Sequence, residues 1–329
     1  MLRFPNAVAT ILMLCLAVPA TVIAAEGAGA TPAAGAAAAE PDFSQPGPHA
    51  VEVLREAGCC DSGGHPFDLY LPAADDGAAR LPLLAFGVGT WASPKKYDHL
   101  LRHIASWGFV VIVSHDNSAA DGQSLLDAVD HALRADADPA SPLAGRIDAQ
   151  RIGVAGHSQG AGGAMNALMA MDGQLRTAVA VNLPGQQLCR PGDCERIPLD
   201  MPDGTSVLLL TGTRDGIAPP LQDAPTDPPY QSVRAYYDAV PAGRVKAMGA
   251  LVDADHNDIQ GQPGCGWFSP GCRHGVSGYL GPLTAWLAWQ LRGDAAAGSA
   301  YFAAGCGRLF RDEAWTAAAS DTGLACAGR

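Results

Sequence analysis

The pentapeptide Gly156-His157-Ser158-Gln159-Gly160 constrains this chain more than any other stretch. A short apolar run, Arg151 to Ala155, precedes it, and a small-residue segment with helical character, Gln159 to Met171, follows it. Strand, sharp turn and helix in that order form a nucleophile elbow, which lifts Ser158 above the end of a sheet in strained backbone geometry. Bulky side chains at 156 and 160 would collide with the adjoining strand and helix, so glycine suits both positions.

Apolar, β-branched runs recur on both sides of the elbow. Leu81 to Val88, Phe109 to Ser114, Arg151 to Ala155, Thr177 to Val181, Val207 to Thr211 and Val245 to Val252 read as buried strands. Tyr97 to Trp107, Ser124 to Ala135, Gln159 to Met171, Ser232 to Ala239 and Tyr279 to Leu291 read as helices. This alternation predicts a single-domain α/β fold, a mostly parallel central sheet with helices on both faces. Phe67 to Leu71 reads as an antiparallel strand at one edge. Active sites in such sheets lie beyond the carboxyl ends of the strands.

The N-terminus has a different character. Arg3 precedes an apolar run from Ala7 to Val18, and small residues follow at Ala20, Ala24 and Ala25. This pattern predicts a signal peptide over 1–25, removed on export, with no membrane span afterwards. Residues 26–48 are mostly Ala, Gly and Pro and read as a flexible leader, with the catalytic domain over 49–329. The destination is secreted or periplasmic. The formal net charge is -12, and Lys95-Lys96 is the only adjacent basic pair. Such a surface is a poor partner for nucleic acid or anionic membranes.

Of the nine cysteines, Cys15 would leave with the signal peptide, and the remaining eight, an even number in an exported chain, suggest disulfides. Loop spacing points to Cys189 with Cys194, Cys265 with Cys272, and Cys306 with Cys326, the last closing the C-terminal tail. Cys59 and Cys60 are left for each other by elimination, although adjacent cysteines close an unusually tight ring. No Cys-x2-Cys pair accompanies a suitably spaced His pair, so no metal is expected. His99 and His103 lie one helical turn apart without a zincin glutamate between them, which reads as a solvated helix face. The glycines at 160, 162 and 163 lack the lysine of a phosphate loop and read as close helix packing.

A serine hydroxyl needs an imidazole to take its proton and a carboxylate to orient that imidazole. Asp215 stands just past the predicted strand Val207 to Thr211, and His256 just past the strand Val245 to Val252. The order Ser158, Asp215, His256 is the one α/β-hydrolases use. Asp203, Asp253 and Asp255 are the rival acids, and His274 is the rival base. His157 adjoins the serine, but the elbow turns it away, towards packing. One oxyanion donor is expected at the N–H of Gln159, at the positive end of the following helix. The second is expected from the loop Gly89-Thr-Trp-Ala92, at Thr90 with Trp91 as the alternative.

Several segments together resemble the secreted bacterial cutinases and polyethylene terephthalate hydrolases, with dienelactone-hydrolase-like and chlorophyllase-like esterases as wider relatives. They are Ile104 to Ile112, Ile147 to Gly160 and Asp215-Gly-Ile-Ala-Pro219. The resemblance implies an α/β-hydrolase fold with Ser158 as nucleophile, Asp215 as acid and His256 as base. It also implies oxyanion donors at Thr90 and Gln159, and a C-terminal disulfide between Cys306 and Cys326. Two aromatic positions of that family differ: Thr90 stands at the oxyanion loop, and Gly185 stands where a tryptophan is usual. Trp91 is then a substitute aromatic for substrate binding. Loops 218–230 and 257–277 look longer than in that family, and the second carries Trp267, another candidate for the cleft wall.

The expected activity is cofactor-free hydrolysis of a small-molecule or polymeric carboxylic ester through an acyl-enzyme. Alternatives are a lipase, phospholipase or peptidase with the same three side chains, or a non-catalytic binding protein on the same scaffold.

Overall fold

The computed structural model describes residues 41–73, 80–171, 173–188, 201–222, 231–262 and 275–326. The expected signal peptide, Trp267, His274 and the cysteines 189, 194, 265 and 272 lie outside the described residues.

One nine-stranded sheet runs through the domain in the order β1-β2-β4-β3-β5-β6-β7-β8-β9. Its strands are β1 (Val51–Gly58), β2 (Phe67–Pro72), β3 (Leu81–Gly87), β4 (Val110–Ser114), β5 (Ile147–His157), β6 (Leu175–Val181), β7 (Ser206–Gly212), β8 (Val245–Leu251) and β9 (Trp315–Asp321). From β4 across to β8 all neighbours are parallel. β1, β2 and β9 pair antiparallel at the two margins.

The parallel strands are apolar on both faces because both are covered. Val207 and Leu209 of β7 pack into one core with α2 (Gln123–Ala137), α3 (Gln159–Ala170) and α4 (Val233–Ala239). Leu208 and Leu210 point into the other, with α1 (Asp98–Ser106), α5 (Ser277–Arg292) and α6 (Ala295–Phe302). Trp286 of α5 is fully buried there, and its ring N–H donates to Thr177 Oγ1 at 2.8 Å. This alternation on a parallel sheet, with a strand–elbow–helix at its centre, is the α/β-hydrolase fold.

Four expectations change. β2 is not the sheet edge, because β1 pairs along its outer side. The C-terminal segment is more than a tail: α7 (Arg308–Arg311) leads into β9, which extends the sheet beside β8. The bond between Cys306 and Cys326 spans these elements, and Cys59 is bonded to Cys60 across a cis peptide. His103 is not on a solvated face. It is buried, with Nε2 2.9 Å from the carbonyl oxygen of Phe43. The reason is the fourth change. Residues 41–48 pack onto the domain, with Phe43 fully buried against Trp107 and Gly47 N–H donating to Ser106 Oγ, so this stretch does not behave as a flexible leader.

Among the described residues no helix is long and apolar enough to cross a membrane. Nor do three or more His, Cys, Asp or Glu side chains among them converge as metal ligands.

Candidate active site

Ser158 occupies the turn between β5 and α3 with φ 54° and ψ −122°. A non-glycine residue holds such a backbone only where its surroundings over-determine it. Ser158 N–H donates to Val181 O of β6 at 2.9 Å, and its own carbonyl accepts from Ala161 N–H at 2.9 Å. A Cβ on Gly156 would overlap the Gly160 carbonyl, and one on Gly160 would overlap the Gly87 carbonyl. Both obstacles are backbone, so the turn is closed to any larger residue at either position. Gly163 meets Ala119 O in the same way, which is the close helix packing expected.

Asp215 follows β7 in a tight turn. Its Oδ1 accepts from the N–H groups of Ile217 (2.8 Å) and Ala218 (2.9 Å). Its Oδ2 accepts from Asn182 Nδ2 at 2.6 Å and from His256 Nδ1 at 2.8 Å. Asp215 is buried, which by itself raises its pKa. The hydrogen bond and charge of His256 and the donors from Ala218 and Asn182 outweigh that burial and hold it below the usual carboxylate value.

His256 follows β8, and its Nε2 stands 2.8 Å from Ser158 Oγ. Asp258 shapes the loop that carries it. This fully buried carboxylate accepts from Asp255 N–H (2.7 Å) and from Gly275 N–H (2.8 Å) at the far end of the loop. Three side chains from three strand ends thus meet in one hydrogen-bonded line, Asp215–His256–Ser158. The rival acids point elsewhere: Asp253 pairs with Arg214, Asp203 with Arg244, and Asp255 with the N–H of Asn257.

The line opens into a cleft of ≈ 510 Å³. Thr90, Trp91 and Gln159 all border it, and so do the apolar side chains Leu183, Pro184, Leu188 and Ile217. The Thr90 hydroxyl donates to Gln159 Oε1 at 3.2 Å, which ties the two expected oxyanion positions together. Trp91 N–H points to Asn117 O at 3.4 Å, so it is the poorer donor of the two candidates in its loop. The Trp91 ring is 83 % exposed at the mouth of the cleft. Gly185 follows the wall residues Leu183 and Pro184 with its N–H on Ile217 O at 3.3 Å, and the Gln187 side-chain amide lies nearest to where a Cβ would stand.

His157 is buried, as packing required, but it is also bonded at both ring nitrogens: Nδ1 to Tyr97 Oη (2.8 Å) and Nε2 to the His256 carbonyl (2.7 Å). Burial pushes its pKa down to about 3, and His256 nearby adds to that. Sequence reasoning missed Asn182, Tyr97, Asp258 and Gln260. Only Asn182 carried a local signal, an asparagine straight after a strand, where the left-handed backbone it adopts (φ 54°) is common.

The chain matches the PETase (PET hydrolase-like) family over residues 28–236, a span that holds Thr90, Ser158, Gln159 and Asp215 and stops before His256. It is 28% identical over 277 residues to "Cutinase cut1" of Thermobifida fusca, covering 81% of this chain and 78% of that one. It is 29% identical over 234 residues to "Cutinase est1" of Thermobifida alba, 64% of this chain and 68% of the other. It is 27% identical over 217 residues to a bis(hydroxyethyl) terephthalate hydrolase of Streptomyces coelicolor, 64% of this chain and 61% of the other. With more than half of its length in the family match, the chain belongs to the PET hydrolase-like family.

Proposed function

We propose that this protein is an exported serine hydrolase of carboxylic esters. The observation that carries the reading is the unbroken line Asp215–His256–Ser158, with 2.8 Å at each step, opening into a cleft. His256 Nε2 accepts the Ser158 proton as Oγ attacks the ester carbonyl, and Asp215 holds the Nδ1–H tautomer that leaves Nε2 free to do so. The N–H groups of Thr90 and Gln159 receive the oxyanion. His256 then protonates the leaving alcohol, and water, activated by the same imidazole, releases the acyl group from Ser158.

The relatives named cutinase and bis(hydroxyethyl) terephthalate hydrolase support an ester or polyester substrate. The aliphatic side chains Leu183, Pro184, Leu188 and Ile217 along the cleft favour aliphatic or small esters over a stacked aromatic ring. Residues 1–25 are proposed to be the export signal, leaving an Ala-, Gly- and Pro-rich leader ahead of the domain. N-terminal sequencing of the exported protein tests both.

The experiment on the reaction is Ser158→Ala, assayed on short p-nitrophenyl esters and on a panel from acetyl to long acyl plus an amorphous polyester film. Turnover should vanish with the thermal transition unchanged. A variant that still turns over sinks the assignment.

A further inference from the structure

Tyr97 lies in the short turn Pro94–Tyr97 before α1, fully buried against the ring of Phe86. Its hydroxyl is the junction of three hydrogen bonds. Gly89 N–H, in the oxyanion loop, donates to it at 2.9 Å. Gln260 Nε2, four residues beyond His256, donates to it at 3.0 Å. His157 Nδ1 is 2.8 Å away.

Counting protons fixes the direction of each bond. The oxygen of Tyr97 already accepts from two N–H donors, so its one proton goes to His157 Nδ1. His157 is therefore the Nε2–H tautomer, and that N–H donates to the carbonyl oxygen of His256 at 2.7 Å. Burial raises the phenol's pKa, keeping it protonated, and depresses that of His157, keeping it neutral. The result is a relay of one sense, Gly89 N–H to Tyr97 O–H to His157 Nε2–H to His256 C=O. One end is the loop expected to bind the oxyanion, and the other is the backbone of the expected base.

We propose that Tyr97 is a positioning residue whose hydroxyl locks the oxyanion loop to the His256 loop through His157. The inference rests on the serine-hydrolase reading above. The loops leave different strands, β3 and β8, so their relative placement is a tertiary matter. A buried phenol that accepts from one and, through His157, donates to the other sets that placement without touching substrate. Stabilising the oxyanion and taking the serine proton belong to the same step, so a shift of one loop against the other lowers kcat more than it weakens substrate binding.

Tyr97→Phe keeps the ring and removes the hydroxyl. Its kcat should fall about tenfold or more with KM within about twofold. The rate at which a fluorophosphonate labels Ser158 should fall in parallel. His157→Phe breaks the same relay, so the double variant should lose no more than the worse single one. In the unmodified protein, the ring-nitrogen NMR signals of His157 should report a neutral Nε2–H tautomer from about pH 5 to 9. A kcat within about twofold of the parent, an additive double variant, or a His157 that carries its proton on Nδ1 would each overturn the proposal. A parent protein that neither turns over esters nor labels at Ser158 would sink the hydrolase reading, and the NMR signature would still decide whether the relay exists. The same signature decides the matter if Tyr97→Phe fails to fold.

Discussion

Two histidines are buried in neutral form, and this makes the fold sensitive to acid in a window where its carboxylates are silent. His103 lies on α1 beneath Phe43, where burial pushes its pKa down to about 4 against the opposing pull of the Phe43 carbonyl. His157 lies beneath the elbow, pushed by burial to about 3. An unfolded histidine titrates near ~6.5, so below that pH the unfolded chain binds protons that the folded one refuses. Stability is therefore complete above about pH 6.5 and is lost as the pH falls towards the folded values. One pKa unit corresponds to ~1.4 kcal/mol, so acidification to about pH 5 removes ~2 kcal/mol per histidine and ~4 kcal/mol for the pair. That is a large part of the ~5–15 kcal/mol that ordinarily holds a domain folded. Burial raises the pKa of Asp68, Asp98 and Asp215, but their hydrogen-bond and ionic partners more than offset it and hold them below 3.8. These three stay charged and take no part in the window. The half-buried His99 and His131 are also lowered by burial and act in the same direction. Urea unfolding between about pH 7.5 and 5 measures the slope directly. His103→Gln retains an amide donor for Phe43 O and removes one of the two largest titrations, so it should take away a sizeable share of the slope, less than half. A stability flat across that range, or a slope untouched by His103→Gln, would refute the reasoning.

Asp215→Asn should leave folding intact and lower kcat by ~10⁴, because an amide facing Nδ1 favours the tautomer that cannot take the Ser158 proton. A loss under about tenfold would remove Asp215 from the reaction. Gly160→Ala drives a Cβ into the Gly87 carbonyl, backbone that no rotamer change can clear. It should cost ~1–3 kcal/mol in a thermal or urea melt, and an unchanged midpoint would show that the elbow can relax. Asn182→Gly keeps the left-handed backbone and deletes the 2.6 Å bond to Asp215. A loss of ~1 kcal/mol is expected from the bond alone, and Asn182→Ala should lose more because it adds a strained φ. Equal losses in the two variants would show that the backbone carries no strain.

What could be read in the sequence was what repeats locally. Runs such as Val207 to Thr211 and Val110 to Ser114 declare buried parallel strands because both faces must be apolar. The order of Ser158, Asp215 and His256 past the ends of β5, β7 and β8 was legible for the same reason, and the structure brings the three side chains within hydrogen-bonding distance. What escaped depends on partners far away. β1 and β9 are half-exposed marginal strands, and the Ala-rich sequence of β9 has little strand character until β8 lies beside it. His103 looked solvated because the residue that covers it, Phe43, stands 60 positions earlier in a stretch poor in apolar side chains. Tyr97 and Gln260, 163 positions apart, gave no sign that they meet.

Among the described residues six non-glycine residues have left-handed φ: Glu56 and Ala317 in the marginal strands β1 and β9, and, past the carboxyl ends of the parallel strands, Trp91 beyond β3, Ser158 beyond β5, Asn182 beyond β6 and Asp253 beyond β8. Such conformations persist only where surrounding structure over-determines them, at a cost of order ~1–3 kcal/mol each. The supports are visible at three of them: Val181 O on the Ser158 N–H, Leu210 O on the Asn182 N–H, and Thr213 Oγ1 on the Asp253 N–H. Each supporting atom belongs to the neighbouring strand or the turn directly beyond it, so the parallel sheet itself holds the strained turns. Beyond Asp253, the loop that carries His256 is held by buried side chains, Asp258 and the hydrogen bonds of Tyr97 and His157. Sheet register therefore sets where Ser158 and Asp215 stand, whereas buried side chains set where His256 stands. Substitutions in that side-chain layer should change turnover with little effect on the sheet, and substitutions at the elbow glycines should change both together.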